Sequence, residues 1–141
     1  SYGDVLTARG FEHVLVNMGE QRALGSKWDG NSWRVGISDP AQRERAVIEI
    51  PILRGAIATS SGYGCSFDNA GNFTHILDPR TGRSARHFAS ITVTAASATD
   101  ADGLSTALAV DGGSSLLKRV MGDGIRVFAV PFDGTHGYWL A

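Results

Sequence analysis

Short apolar runs and alternations of apolar and polar residues dominate the first two thirds of the chain. Such patterns are typical of β-strands, because successive side chains of a strand point to opposite faces of its sheet. The predicted strands are "HVLVNMG" (13–19), "SWRVGI" (32–37), "RAVIEI" (45–50), "GAIATS" (55–60) and "SITVTA" (90–95). The polar residues between the second and third strands predict a connecting loop there.

The pattern changes to that of a helix near residue 98. Apolar residues at helical spacing predict a helix within "TDADGLSTALAV" (99–110), with Thr99 or Asp100 as its N-cap. Three further elements are predicted: the end of a helix at 4–10, a short helix at 114–122 and a last strand at 125–130. Strands followed by helices predict an α+β fold, with a mixed or antiparallel sheet and a few packed helices.

Composition indicates a globular domain and argues against several classes of partner. With 141 residues and 14.9 kDa, the chain is long enough for one domain, 1–141, with its own core. Its net charge of −1 gives no electrostatic reason for nucleic-acid binding. No apolar run reaches the roughly 18 residues that a membrane-spanning helix needs, so we expect no membrane insertion by this segment. The single cysteine, Cys65, excludes an internal disulfide framework.

Two polar segments follow predicted strands, and each has both a chemical and a structural interpretation. "ATSSGYG" (58–64) combines hydroxyls with glycines, which let a ligand approach the backbone or simply form a turn. In "THILDPRTGRSA" (74–85), His75 is a candidate for proton transfer and Arg80 for a phosphate contact. The structural alternative is a strand that ends in a Pro turn, where Asp78 caps the turn and His75 is bonded to a backbone carbonyl.

A third segment, "ADGLSTAL" (101–108), lies within the predicted helix. Asp102 and Thr106 are four residues apart, so a helix places their oxygens on one face. A carboxylate and a hydroxyl form a fair partial site for Mg²⁺, which leaves its other positions to water and phosphate. The structural alternative is that Asp102 only adds charge near a helix N-terminus while Thr106 packs.

Taken together and in order, these segments resemble the FAD:protein FMN transferase family, the ApbE-type flavin transferases. The family pattern has an L-x-N-x-G-G-D or G-E turn, W-x-V-G-I-x-D-P, A-T-S-G, H-I-x-D-P-x-T-G and A-D-x-x-x-T-A. The matching segments here are "NMGEQRALG", "WRVGISDP", "GAIATSSGYG", "THILDPRTGRSA" and "SITVTAASATDADGLSTAL". The resemblance extends from about Val5 to Val130, and the combination of the last two motifs is its most specific part.

The resemblance implies a Mg²⁺-dependent enzyme that splits FAD at the diphosphate. The FMN phosphoryl group would pass to a threonine of an acceptor flavoprotein, with release of AMP. Asp102 and Thr106 would hold the metal, and His75 would lie beside the diphosphate to deprotonate or position the acceptor threonine. The motif positions assigned to FAD binding are Glu20, Thr59, Ser60, His75, Ile76, Asp78 and Arg80.

Two departures from the family pattern limit what can be transferred. Gly19-Glu20 stands where many members have Gly-Gly-Asp, so Glu20 either lies near the adenine–ribose side of FAD or supports its loop. The family's N-terminal half, with its A-x-K-G segment, a backbone metal ligand and much of the flavin pocket, has no counterpart in this sequence. We therefore expect the C-terminal part of a flavin transferase domain, which needs that half or a complementary chain.

Two other functions fit the same residues. An FAD pyrophosphatase would use water instead of threonine against the same diphosphate, and a non-catalytic module would bind flavin only. The motifs do not separate the transferase from the pyrophosphatase. The presence of Asp102, Thr106 and His75 together argues against a non-catalytic module, whereas the missing half leaves it open, and the sequence leaves the compartment open as well. Family members are often exported lipoproteins on the periplasmic face of bacterial membranes, so a typical member would be membrane-anchored there.

Overall fold

The computed structural model describes residues 2–40, 42–69, 72–112, 114–120, 122, 124–132 and 136–140. The helices of this part of the chain are α1 (Tyr2–Ala8), α2 (Ala98–Asp111) and α3 (Ser114–Val120), with a 3-10 turn at Gly62–Gly64. Its strands are β1 (Leu15–Asn17), β2 (Gln21–Ala23), β3 (Trp33–Ser38), β4 (Ala46–Ile52), β5 (Gly55–Ser61), β6 (Leu77–Asp78), β7 (Arg83–Ser84), β8 (Ser90–Ala95), β9 (Arg126–Val130) and β10 (Tyr138–Trp139).

A six-stranded sheet forms the centre of the described structure, in the order β1-β2-β5-β8-β9-β10, and all of its pairings are antiparallel. Strand β5 is paired on both sides, with β2 over its first residues and with β8 over Ala56–Ser61. Strands β3 and β4 form a separate hairpin, and β6 and β7 form a second, much shorter one. The predicted α+β class, with an antiparallel sheet and a few helices, is confirmed.

The alternation of side chains gives the central sheet two different apolar faces. One face packs against the β3–β4 hairpin, and the fully buried residues of this contact include Ile57 on the sheet and Ile50 on the hairpin. The other face packs against α2, where Leu108 contacts β8 and β9 through Ile91 and Val127. The β3–β4 hairpin, the sheet and α2 are therefore three successive layers, and the carboxyl end of β5 lies beside the first half of α2.

The N-cap of α2 corrects one detail of the sequence prediction. The helix is capped by Ser97, and it begins before the predicted caps Thr99 and Asp100. Ser97 has extended backbone angles, its Oγ accepts from the Asp100 N–H, and its hydroxyl donates to the Asp100 carboxylate at 2.6 Å. This reciprocal pair satisfies a backbone donor at the helix start that would otherwise lack a partner.

Other predictions hold with smaller adjustments. The run at 13–19 forms a strand only over Leu15–Asn17, and the predicted last strand, β9, is followed by β10. The first helix ends at Ala8, two residues before Gly10, whose positive φ of 83° suits a residue without a side chain. No helix of the described residues is long and apolar enough to cross a membrane.

Candidate functional site

An open cleft of about 650 Å³ lies where the end of β5 meets α2. Three separate parts of the sequence form it: the end of β5 with the following turn, the segment before and within β6, and α2. The residues that line it are Thr59, Ser60, Ser61, Gly64, Cys65, His75, Ile76, Leu77, Asp102 and Thr106. The fold thus brings the three polar segments noted in the sequence to one place.

Strand β5 and helix α2 are joined by hydroxyl groups at the base of this cleft. The Ser60 Oγ lies 2.8 Å from the Ser105 Oγ and 2.9 Å from the Thr106 Oγ1. One residue earlier, the Thr59 Oγ1 lies 2.9 Å from the Thr92 Oγ1 on β8. These contacts join the end of β5 to α2 and to β8, so the polar groups of the cleft lie on packed secondary structure.

His75 lies at the rim of the cleft, where its ring is exposed. Its Nδ1 is 3.2 Å from the backbone oxygen of Cys65. A carbonyl oxygen only accepts hydrogen bonds, so Nδ1 carries the proton of the neutral ring and Nε2 carries the free lone pair. The hydrogen bond from His75 to a backbone carbonyl, which the structural alternative predicted, is therefore present. The same hydrogen bond orients the imidazole so that Nε2 can accept a proton.

Asp102 and Thr106 lie one helical turn apart on α2, and both are exposed to the cleft. The Asp102 carboxylate makes no hydrogen bond or ion pair with any residue that the structure describes. A free carboxylate beside a hydroxyl is a chemically suitable, incomplete ligand set for a hard cation. No cluster of three or more His, Cys, Asp or Glu that could hold a metal occurs among the described residues. The pair therefore fits an ion that takes its remaining oxygens from water or phosphate.

In the turn after β6, the polar side chains bond to each other and not to the cleft. The Asp78 Oδ1 accepts from the backbone N–H and the Nε of Arg80, both at 2.9 Å, and Oδ2 accepts from Nη2 at 3.0 Å. The guanidinium of Arg80, followed by its backbone N–H, holds the pKa of Asp78 below its ordinary value of 3.8. Among the described residues, neither side chain belongs to the lining of the cleft, and their assignment to FAD binding stays a prediction.

Glu20 is placed in the turn between β1 and β2, where its backbone oxygen accepts from the Met18 N–H at 3.0 Å. Its neighbours Gly19 and Gln21 line a smaller depression, of about 250 Å³, that shares Thr59 with the cleft. Glu20 itself is half-buried, and in the described structure it is not among the lining residues of either depression. Its contact with a ligand stays a prediction.

Ser105 is a polar residue next to the cleft that the sequence prediction did not select. It is fully buried, and its hydroxyl donates to the backbone oxygen of Asp102 at 2.9 Å. It occupies a position that the A-D-x-x-x-T-A pattern leaves variable, so that pattern gave no reason to select it. A serine on the apolar face of a helix was the available signal, because a buried hydroxyl needs a partner.

The comparisons with known proteins agree with the resemblance found in the sequence. The model of the ApbE family matches residues 1–128. An FAD:protein FMN transferase of Vibrio cholerae is 42% identical over 114 residues, which are 77% of this chain and 34% of that protein. The FAD:protein FMN transferase of Salmonella typhimurium is 34% identical over 134 residues, which are 92% of this chain and 38% of that protein.

Solved structures give the same result. The crystal structure of the ApbE protein from Thermotoga maritima has a TM-score of 0.77 at 34% identity, covering 89% of this chain and 42% of that one. The flavin transferase ApbE from Vibrio cholerae has a TM-score of 0.74 at 33% identity, covering 96% of this chain and 45% of that one.

These similarities define an α+β protein built like the C-terminal region of the flavin transferases. The chain belongs to the ApbE family. It spans about 38% of the length of several curated relatives.

Proposed function

We propose that this chain carries part of the active site of an FAD:protein FMN transferase. The reaction splits the diphosphate of FAD and attaches FMN, through a phosphoester, to a threonine of an acceptor flavoprotein, and AMP is the second product. Relatives that bear this name at 31–42% identity support the activity. The observation that carries the proposal is the cleft in which His75, Asp102 and Thr106 meet the polar end of β5.

His75 acts on the acceptor threonine in this proposal. The threonine Oγ attacks the FMN phosphorus, and the bond from that phosphorus to the bridging oxygen of the diphosphate breaks, so that oxygen leaves with AMP. The proton of the threonine hydroxyl passes to Nε2 of His75, which is free because Nδ1 donates to the Cys65 carbonyl. The exposure of the ring at the rim lets an acceptor from another protein reach it.

The remaining polar residues position the diphosphate and reduce its charge. Such a transfer needs little covalent help and much charge neutralisation, which Mg²⁺ supplies when bound. Asp102 and Thr106 are the residues of this chain that would hold the ion. The hydroxyls of Thr59 and Ser60 and the adjacent backbone would line the FAD site beside them.

The cleft provides only one wall of such a site. Its described lining includes the apolar side chains of Ile76 and Leu77 but no Phe, Tyr or Trp on which a flavin ring would stack. A flavin ring requires an apolar and partly enclosing pocket. Asp102 and Thr106 also leave most of the metal's coordination to other groups. We therefore propose that this chain acts as the C-terminal part of a transferase domain, with a complementary segment or chain supplying the opposite wall.

The test compares the 141-residue chain with a chimera in which the N-terminal part of the Vibrio cholerae relative precedes it. Each is incubated with FAD, Mg²⁺ and an acceptor flavoprotein, and flavin on the denatured acceptor is measured by fluorescence and mass. We expect transfer by the chimera and none by the chain alone. Efficient transfer by the chain alone would show that the site needs no second wall.

The same assay distinguishes the other functions. Release of FMN and AMP by the chimera without any labelled acceptor indicates a pyrophosphatase. Binding of FAD without turnover indicates a flavin-binding module, and the matched chimera with His75→Asn shows whether turnover depends on this cleft. Evidence for a pyrophosphatase or for a flavin-binding module would replace the proposed transfer reaction.

A further inference from the structure

The hydroxyls of Thr106, Ser60 and Ser105 form a continuous hydrogen-bonded chain that ends on the backbone oxygen of Asp102. The three contacts measure 2.9 Å, 2.8 Å and 2.9 Å in that order. We call these three side chains the hydroxyl relay. It begins and ends at the two residues proposed to hold the metal, although Ser60 lies on β5 and the other members lie on α2.

Counting protons fixes the direction of the relay. A carbonyl oxygen has no proton to give, so Ser105 must donate to Asp102. Ser105 then has no second proton, so Ser60 donates to Ser105, and by the same reasoning Thr106 donates to Ser60. This is the one arrangement in which all three contacts are hydrogen bonds, and burial of Ser105 favours it because a buried hydroxyl is costly to leave unpaired.

The direction has a consequence for the cleft. The proton of Thr106 points inward to Ser60, so both lone pairs of its Oγ1 stay available at the cleft, which Asp102 also lines. The oxygen of a hydroxyl oriented in this way can coordinate a cation. A hydroxyl whose proton points into the cleft would repel the cation instead.

We propose that Ser60 and Ser105 are positioning residues that orient Thr106 for a divalent cation. This inference rests on the proposed function, because it requires the metal pair Asp102 and Thr106. It assigns Ser60 a second task besides lining the cleft, and it gives the buried Ser105 a role that the family pattern does not indicate.

Removing a relay member should weaken cation binding without moving either ligand. In Ser105→Ala, the Ser60 hydroxyl loses its acceptor and can donate to Thr106, which reverses that bond. In Ser60→Ala, the Thr106 hydroxyl loses its acceptor and can turn its proton into the cleft. Removing groups that orient metal ligands typically lowers affinity about 10–100-fold.

The experiment titrates the 141-residue chain with Mn²⁺, which shares the oxygen ligands of Mg²⁺ and broadens nearby NMR signals even when it binds weakly. The signals followed are the backbone amides of Asp102 and Thr106. The variants are Ser105→Ala, Ser60→Ala, Ser60→Thr and the double variant, and the melting temperature of each is measured. The control is Ser90→Ala, which removes a hydroxyl that is equally buried but has no hydrogen-bond partner in the described structure.

We expect the amide signals of Asp102 and Thr106 to broaden at the same Mn²⁺ concentration in the wild type, Ser60→Thr and Ser90→Ala. In Ser105→Ala and in Ser60→Ala, equal broadening should require on the order of 10-fold more Mn²⁺. The double variant should need no more than either single one, because the residues act as a unit.

Three results would overturn the proposal, and they do so differently. If the wild type shows no selective broadening on α2, the metal site itself is wrong, and this inference falls with it. If the wild type binds but Ser105→Ala matches Ser90→Ala, the metal site stands and the relay has no role. If Ser105→Ala does not fold, the pair Ser60→Ala and Ser60→Thr decides, and equal binding by both overturns the relay.

Discussion

The segment from Thr74 to Ala85 contains two regions that look equally polar in the sequence but behave differently in the structure. Asp78 and Arg80 bind each other through three hydrogen bonds, so their polarity stabilises the turn that contains them. His75, three residues before Asp78, directs its backbone-bonded ring toward a cleft shared with α2. The density of polar residues in a sequence is therefore a poor guide to function.

The two regions differ in which polar side chains still lack a hydrogen-bond partner in the folded chain. In the turn, both oxygens of Asp78 have partners from Arg80. In the cleft, the carboxylate of Asp102 has none among the described residues. Groups that folding leaves available can bind a ligand without first breaking an internal bond, and the following predictions test this distinction.

The largest effect is expected at Asp102. The variant Asp102→Asn should lose detectable binding of Mn²⁺ and metal-dependent transfer by the chimera, because the remaining side-chain ligand, Thr106, is neutral. The helix loses only one charge near its N-terminus, worth under about 1 kcal/mol, so the melting temperature should change little. Titration calorimetry and thermal unfolding check both parts. Asp100→Asn on the same helix is the control, and equal metal affinity in the two variants would contradict the assignment.

A somewhat smaller effect is expected at His75. Loss of an acid–base group typically lowers the rate about 10²–10⁴-fold, and the exposed ring contributes little packing, so His75→Asn should slow FMN transfer with little loss of stability. The matched control is His13→Asn, because the His13 Nδ1 makes a similar contact to the Ser26 carbonyl at 3.0 Å, away from the cleft. If both variants lose stability and keep the rate, His75 is a structural residue.

The N-cap of α2 separates stability from ligand binding. In Ser97→Ala, the Asp100 N–H loses the Ser97 Oγ, which typically costs about 1 kcal/mol. For a domain of this size the melting temperature should fall by about 3 °C. We expect Mn²⁺ affinity per folded molecule to stay unchanged, since the cap lies a turn before Asp102. A large loss of affinity would mean that the helix start itself shapes the cleft.

The smallest effect is expected at the turn, and it depends on pH. The pKa of Asp78 is lowered in the folded state, so its stabilisation is full above the unfolded pKa and is lost as pH falls through the lower, folded value. Asp78→Asn should therefore lower the melting temperature slightly at pH 7, and the difference from wild type should vanish well below pH 3.8. Thermal unfolding between pH 2 and pH 7 measures this difference.

A second measurement on the same turn tests the role assigned to Arg80. A specific rise in the KM for FAD in Arg80→Ala would support the predicted phosphate contact. An unchanged KM would restrict Arg80 to the turn.

Much of the fold could be predicted because long segments have a clear period. Strands β3, β4, β5 and β8 and helix α2 all fall on segments where the apolar pattern is unambiguous. Strands β2, β7 and β10 were missed because two or three residues are too short to show any period. The cap was misplaced because 97–100 contains three residues of capping type, and only the geometry of Ser97 distinguishes it.

The candidate site could be predicted less directly. Spacing alone placed Asp102 and Thr106 on one helix face, but their proximity to His75 depends on how distant segments pack. Sequence periodicity does not contain that information, and here it came from the resemblance to a family. Ser105 shows the remaining limit, because its role depends on the position of Ser60, which is 45 residues away in the sequence.

The one-sided pairing at the end of β5 also determines how the cleft exchanges with solvent over time. Strand β2 pairs with β5 only up to Ile57, whereas Thr59 and Ser60 are still paired with Thr92 and Ile91 of β8. Successive residues of an antiparallel strand direct their N–H groups to opposite sides, so only one of these two amides is bonded to β8. That amide hydrogen should exchange slowly, because it opens only when the two strands separate, while the other amide and the loop around Cys65 should exchange quickly. The movement needed to admit and release ligands is therefore expected on the unpaired side of β5 and at the rim, and not where β5 meets β8.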